Sequence, residues 1–86
     1  MYIVLSYDIN QKRVAKVMKI CRKYLIHVQK SVFEGSITEA KLEKLKNELV
    51  KIIDTEVDSI CIYEMDSLKY IQKEQIGIVQ TFSNII

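Results

Sequence analysis

The chain has 86 residues, of which 49% are hydrophobic and 28% are charged, and its formal net charge is +2. This length corresponds to a single domain over residues 1–86, and the composition excludes an intrinsically disordered chain. No apolar run approaches the ~18 residues that a membrane span needs, so we expect no membrane-spanning segment.

Two further features favour a cytoplasmic location. The apolar run Met1–Leu5 lacks the basic start and the small-residue cleavage site of a signal peptide. Cys21 and Cys61 form no C-x-x-C pair, and each lies in an apolar pattern. We therefore expect two reduced thiols rather than a disulfide or a metal pair.

Charge is divided unevenly along the chain. Residues 1–30 carry seven basic side chains and one acidic side chain, a net charge of +6, whereas residues 31–86 carry a net charge of −4. A basic surface attracts phosphate groups, so the first part of the chain is a candidate nucleic-acid surface. Its basic residues are Lys12, Arg13, Lys16, Lys19, Arg22, Lys23 and Lys30.

The first third of the chain predicts a strand, a helix and a second strand. Met1–Asp8 is rich in β-forming residues and apolar at both parities, as in a central strand. Asn10–Leu25 has a helical period, with lysines opposite a narrow apolar stripe. Ile26–Phe33 alternates like a strand, which Glu34-Gly35 ends. The apolar stripe consists of Val14, Val17, Met18, Cys21 and Leu25.

The rest of the chain predicts a second helix and further strands. Ser36 and Glu39 have the spacing of a capping box, which opens a helix with a leucine-rich stripe. Val57–Glu64 follows as a strand, and a weaker strand is closed by Gly77. The stripe is Leu42, Leu45, Leu49, Ile52 and Ile53, the weaker strand is Tyr70–Ile76, and an apolar tail with β propensity covers Ile78–Ile86.

We interpret these elements as an α+β fold of the ferredoxin-like type, βαββαβ, with an extra strand-like C-terminal tail. In this fold both helices cover one face of an antiparallel sheet, and the other face is left open. A part-apolar open face on a small domain indicates burial against a partner, and the tail favours pairing with a neighbouring sheet edge. By parity we expect the open face to carry Val4, Ser6, Asp8, His27, Gln29, Ser31 and Phe33.

Asp8 is the strongest candidate for chemistry. It is the sole acid among residues 1–30, and it ends a buried strand on the face expected to be open. Functional groups are common at the C-terminal ends of strands in α/β sheets. A carboxylate there suits a hard cation such as Mg²⁺, which activates water and neutralises charge on a phosphodiester. One Asp is too little for a metal site, and a two-fold axis near Asp8 would supply a second.

A structural role for Asp8 is the alternative. Asp8-x-x-Gln11 has the spacing of a capping arrangement, in which the carboxylate accepts backbone N–H bonds at the start of the first helix. Spacing alone favours this cap over the metal ligand.

Other candidates also have an ordinary explanation beside the functional one. A lysine row on a helix is usually a solvated face, and within a basic half-chain it is a plausible nucleic-acid surface. Tyr7 is expected on the helix-facing side, where it would pack in the core, and His27 is expected as a surface residue. Phe33 would stack on a base or pack in a dimer interface. The row consists of Lys12, Lys16, Lys19 and Lys23.

Several of these segments together are similar to a known family. Tyr2–Ile9 reads Y-I-V-L-S-Y-D-I, the first helix opens with Lys12-Arg13-Val14, and Val28–Gly35 reads V-Q-K-S-V-F-E-G. A capped helix with repeated leucines follows. In this order and spacing nearly the whole chain resembles the small CRISPR-associated Cas-two proteins.

The resemblance implies a ferredoxin-like homodimer with two sheets stacked face to face and the tail strand crossing onto the partner's sheet. It implies a divalent cation, usually Mg²⁺, at the dimer two-fold, held by the acid that Asp8 matches. Members are described as metal-dependent endonucleases on single-stranded RNA or double-stranded DNA. They are also described as a non-catalytic scaffold that works with the Cas-one integrase during spacer acquisition in CRISPR adaptation.

The family's other site positions match less completely. Tyr7, Arg13, Ser31 and Phe33 correspond to positions that the family uses near the site. His27 stands where relatives often have an arginine, so the resemblance bears more firmly on fold and complex formation than on nuclease strength.

Three functions follow as hypotheses. The first is a phosphodiesterase in which Asp8 from each subunit holds Mg²⁺ while Arg13 and the lysines neutralise phosphate charge. The second is a DNA-binding scaffold that grips the duplex through the lysine row and presents its tail or edge strand to the integrase. The third is a regulatory domain that binds a small ligand on its open face, which the basic half-chain does not specially support.

Overall fold

The computed structural model describes residues 1–66 and 72–77. Within these residues the chain forms one antiparallel sheet with the strand order β2-β3-β1-β4, together with two helices. The order βαββαβ with this sheet is the ferredoxin-like fold that the sequence predicts. The elements are β1 (Tyr2–Asp8), α1 (Gln11–Arg22), β2 (Ile26–Gln29), β3 (Val32–Ser36), α2 (Glu39–Ile52) and β4 (Ser59–Met65).

The predicted order βαββαβ needs two strands between the helices, where the residue pattern delimited only one, Ile26–Phe33, and the structure has two. β2 and β3 form a hairpin through the turn Lys30-Ser31, with a register shift between His27 and Gln29. Gly35, which was expected to end a strand, lies inside β3. The hairpin supplies the inner strand that the ferredoxin-like order requires between the helices.

The C-terminal part of the chain agrees less well with the predicted strands. In the predicted strand Tyr70–Ile76, residues 72–76 are not in a strand, whereas residues 70 and 71 lie outside the described residues. The predicted tail strand Ile78–Ile86 also lies outside them. Gly77 has a φ of +96°, a left-handed conformation that glycine adopts without strain.

Each helix begins directly after a polar cap that follows a buried or half-buried isoleucine. The Asn10 side chain accepts a hydrogen bond from the Lys12 N–H at 2.9 Å, and the Thr38 hydroxyl accepts one from the Lys41 N–H at 3.2 Å. Ile9 and Ile37, which precede the caps, pack against the core, so each helix begins only after the isoleucine and its cap. The predicted caps at Asp8 and Ser36 are therefore wrong.

The core lies between the helices and the inner face of the sheet. β1 contributes alternate residues, and the predicted apolar stripes of both helices face inward, as expected. No helix of the described part of the chain has the length and apolar character needed to cross a bilayer. The core includes Ile3, Leu5, Tyr7, Val17, Cys21, Leu25, Leu42, Leu45 and Leu49.

His27 and Phe33 also lie in the core, so the prediction that they occupy the open face is wrong. Their side chains are 2% and 0% exposed, and their rings stack with centroids 4.3 Å apart. His27 Nε2 lies 3.1 Å from the Lys30 carbonyl oxygen, which gives the buried ring a polar partner. Ile26, Val28, Val32 and Glu34 lie on the open face instead, which reverses the predicted parity for most of this segment. Gln29, which pairs with Val32 beyond the register shift, lies on the open face as predicted.

Candidate metal and nucleic-acid site

Asp8 lies at the end of β1 on the open face of the sheet, as the sequence predicts. It is exposed, and it lies opposite Ser59 in the register of β1 with β4. Since Asn10 caps α1, the Asp8 carboxylate is not used as the helix cap. Within residues 1–66 and 72–77 the carboxylate makes no hydrogen bond or ion pair, so its oxygens are available to a ligand.

One copy of the chain provides an incomplete set of metal ligands. No group of three or more His, Cys, Asp or Glu side chains in the described part of the chain is arranged to hold a metal ion. A carboxylate oxygen nevertheless has the chemistry that Mg²⁺ prefers, and Mg²⁺ sites often use one or two carboxylates with water completing the shell. Asp8 fits such a site when a second copy supplies the second carboxylate.

The turn Lys30-Ser31 is fixed beside the end of β1. The Tyr7 hydroxyl donates to the Lys30 carbonyl at 3.0 Å, and the Tyr7 backbone N–H donates to the Ser31 carbonyl at 3.1 Å. Tyr7 is buried on the helix side, as expected, and burial raises the pKa of its hydroxyl. Half-buried Ser31 thus lies near Asp8, while Phe33 is too buried to touch a nucleic acid.

On the other side of Asp8, a buried carboxylate holds the start of α1. Arg13 donates from Nε to Asp58 Oδ2 at 2.6 Å and from Nη2 to Oδ1 at 3.1 Å. The Asp58 side chain is 0% exposed, and that of Arg13 is 22% exposed. The Arg13 guanidinium holds the pKa of Asp58 well below its ordinary value, against the opposing effect of desolvation.

Sequence reasoning missed Asp58, because it was counted as part of the strand Val57–Glu64. β4 begins at Ser59, two residues after the predicted start at Val57, so Asp58 lies just outside the strand. An acid at the start of a β-rich run was the available signal, but its partner Arg13 lies 45 residues away in sequence. The predicted phosphate contact of Arg13 therefore competes with an ion pair inside the protein.

The predicted lysine row on α1 divides into two parts. Lys12, Lys16 and Lys19 are exposed, and no hydrogen bond or ion pair joins their ammonium groups to other described residues. Lys23 forms an ion pair with Glu48 of α2, which also accepts from the Tyr24 hydroxyl. The first three lysines are thus free to meet phosphate groups.

Residues 72–75 border the open face at the end of the sheet away from Asp8. Lys73 Nζ lies 2.8 Å from Glu34 Oε1, and the Tyr2 hydroxyl donates to the same carboxylate. Burial and the Glu34 carboxylate raise the pKa of Tyr2 to about 12. Since Tyr2 and Asp8 stand at opposite ends of β1, this cluster is separate from the candidate metal site.

The cysteines lie outside the candidate metal site. Both are free thiols. Cys21 is buried in the core, where burial raises its pKa to about 12. Cys61 is exposed on β4, so the prediction that the cysteines pack as small apolar side chains is confirmed for Cys21 and wrong for Cys61.

Comparison with known proteins identifies the family. The family model of the CRISPR-associated protein Cas2 matches residues 1–73. The chain belongs to the Cas2 family. This confirms the resemblance found in the sequence, and Asp8 lies within the matched residues.

Curated relatives and solved structures match over nearly the full length. The chain is 50% identical over 78 residues to the CRISPR-associated endoribonuclease Cas2 of Thermotoga maritima, which covers 91% of this chain and 90% of that protein. It is 49% identical over 78 residues to that of Dictyoglomus turgidum, with the same shares covered. A crystal structure of Streptococcus pyogenes Cas2 superposes with a TM-score of 0.78 at 36% identity, covering 90% of this chain and 100% of that one.

Proposed function

We propose that this Cas2 protein is a metal-dependent endonuclease of the CRISPR adaptation machinery that acts as a homodimer in the cytoplasm. Relatives about 50% identical over most of the chain carry the name endoribonuclease, which favours RNA among the expected substrates, single-stranded RNA and double-stranded DNA. The observation that carries the proposal is the exposed Asp8 carboxylate, which the fold leaves without a structural task.

The open face of the sheet supports the homodimer. It carries apolar side chains on every strand, and Ile26 and Tyr63 are 48% and 59% exposed. A face of this kind on a small domain is stabilised when a second sheet packs on it. A two-fold axis near the end of β1 would bring two Asp8 carboxylates together, and the C-terminal tail would pair with the partner's sheet.

The proposed chemistry divides between the acids and the lysines. Two Asp8 carboxylates would hold Mg²⁺ or another divalent cation, which supplies positive charge at the phosphate and lowers the pKa of a bound water. Lys12, Lys16 and Lys19 would bind the phosphates on either side and so hold the scissile bond at the carboxylates. Arg13 would act through Asp58, to which its guanidinium is bound.

A cleavage assay with single-residue variants tests the proposal. Purified protein is incubated with end-labelled single-stranded RNA, or with duplex DNA, in the presence and absence of Mg²⁺. Asp8→Asn should abolish cleavage while leaving a folded dimer. Asp66→Asn is the matched control, because it makes the same change at the opposite end of the sheet, after β4. Cleavage that persists in Asp8→Asn, or without a divalent cation, would refute the nuclease.

The exposed lysines favour a second candidate function, a DNA-binding scaffold for the Cas-one integrase. Lys12, Lys16 and Lys19 form a basic face on α1 that is independent of Asp8. In a scaffold Asp8→Asn would leave duplex binding and complex formation with the integrase unchanged. Charge reversal at Lys16 and Lys19 would reduce both.

A further inference from the structure

Asp58 is the most completely bonded side chain near the candidate site. Its carboxylate is 0% exposed and accepts hydrogen bonds from four groups. Two come from the Arg13 guanidinium, and two come from backbone N–H groups, those of Asn10 at 2.9 Å and Asp54 at 2.9 Å. A buried carboxylate needs this degree of pairing, because removing its charge from water is costly.

These bonds connect three parts of the chain that meet at the end of β1. Asn10 lies in the segment between β1 and α1, Arg13 lies in the first turn of α1, and Asp54 follows α2. Asp58 itself directly precedes Ser59, which lies opposite Asp8 in the sheet. Asp58 therefore binds the backbone that follows Asp8 in sequence, at Asn10, and it also adjoins the residue opposite Asp8 in the sheet, Ser59.

We propose that Asp58, with Arg13, is a positioning residue that sets the direction of the Asp8 carboxylate for cation binding. Asp8 and Asn10 are two residues apart, so a shift of the Asn10 backbone moves Asp8 as well. Mg²⁺ accepts a narrow range of octahedral geometries, and groups that orient its ligands typically contribute 10–100-fold to affinity. This inference rests on the proposed function, since it requires Asp8 to be a metal ligand.

A purely structural role is the competing explanation. An ion pair that merely joins α1 to the loop before β4 would change stability and leave cation affinity unaltered. The two explanations are separated by measuring affinity in folded protein, well below the unfolding temperature.

The experiment compares Mn²⁺ binding by isothermal titration calorimetry between the full-length wild-type chain and three variants. Asp58→Asn keeps the size of the side chain and removes its charge, so it should weaken Mn²⁺ binding by ~10-fold in protein that is still folded. Glu48→Gln is the control, because it breaks an ion pair at the opposite end of α1 and should leave affinity unchanged. Asp8→Asn should abolish binding.

Each outcome decides a different question. Unchanged Mn²⁺ affinity in folded Asp58→Asn would overturn the inference while leaving the nuclease intact. Unchanged affinity in Asp8→Asn would instead overturn the proposed function. If Asp58→Asn does not fold, Arg13→Lys decides, since it keeps the charge opposite Asp58 but cannot form the two-point contact. It should weaken binding by at least ~3-fold, and excess Mg²⁺ should restore its cleavage, whereas wild-type affinity in Arg13→Lys would overturn the inference.

Discussion

The guanidinium of Arg13 binds the carboxylate of Asp58 at two points, with Nε 2.6 Å from Oδ2 and Nη2 3.1 Å from Oδ1. The two residues are 45 apart in sequence, and the pair joins the first turn of α1 to the start of β4. Arg13, which the sequence alone assigns to phosphate binding, is therefore bound within the protein to the buried carboxylate of Asp58. Its effect on the candidate site acts through the position of the backbone near Asp8.

The stability of the protein should depend on Asp58 in a pH-dependent way. The pKa of Asp58 in the folded protein lies below its ordinary value of 3.8, so the unfolded chain takes up its proton at higher pH. The contribution of Asp58 is therefore complete above about pH 5 and is lost as pH falls through 3.8 toward the folded-state pKa. Urea unfolding from pH 3 to 7 should show the difference between wild type and Asp58→Asn shrinking at low pH. A difference that is constant with pH would contradict this.

Phe33 should affect stability and leave nucleic-acid binding unaltered. Phe33→Leu removes the stacked contact with His27 from the core, which should lower the free energy of unfolding by about 1–2 kcal/mol. Urea unfolding measures this loss, and fluorescence anisotropy with labelled RNA measures affinity at a temperature where the variant is folded. A fall in affinity with unchanged stability would show that Phe33 stacks on a base.

The sequence was sufficient for the features that depend on local pattern. The helical stripes, the inward alternation of β1 and the exposure of Asp8 all follow from residue periods of 3.6 and 2. Periodicity failed between Ile26 and Phe33, because this segment contains apolar side chains at one parity and two rings at the other. The rings of His27 and Phe33 lie in the core as a stacked pair, and the aliphatic side chains lie on the open face.

The polar contacts around Asp8 could not be predicted in the same way. Asp58 is joined to Asn10 and Arg13 across 48 and 45 residues, and no local pattern encodes such a pairing. The helix caps also depend on tertiary packing, since Ile9 and Ile37 pack in or against the core and each helix begins only after them. Local motifs therefore predicted a helix in the right place with the wrong first residue.

The open face should form the dimer interface. Val4 lies on this face in the centre of β1, between Glu34 of β3 and Tyr63 of β4. Val4→Lys would bury a charge between two sheets, so it should convert the dimer to a folded monomer in sedimentation velocity. Val50→Lys makes the same change on the outer side of α2, where Val50 is 62% exposed, and should remain dimeric. A dimeric Val4→Lys variant would place the interface elsewhere.

The free lysines of α1 should set the salt dependence of nucleic-acid binding. Each lysine that neutralises a phosphate contributes about 0.7–0.9 to the slope of log affinity against log salt. Lys16→Gln combined with Lys19→Gln should therefore reduce the slope by about 1.4–1.8. The control is Lys44→Gln on α2, which should leave the slope unchanged. If the control lost as much slope per lysine as the α1 variant, the effect would be one of general charge, and the prediction would be wrong.

The stoichiometry of Mn²⁺ binding tests the central claim most directly, because Asp8 from two copies is proposed to form one site. Isothermal titration calorimetry of the wild-type protein should give one ion for every two chains, and Asp8→Asn should show no binding. One ion per chain, or undiminished binding in Asp8→Asn, would contradict a cation shared between two copies.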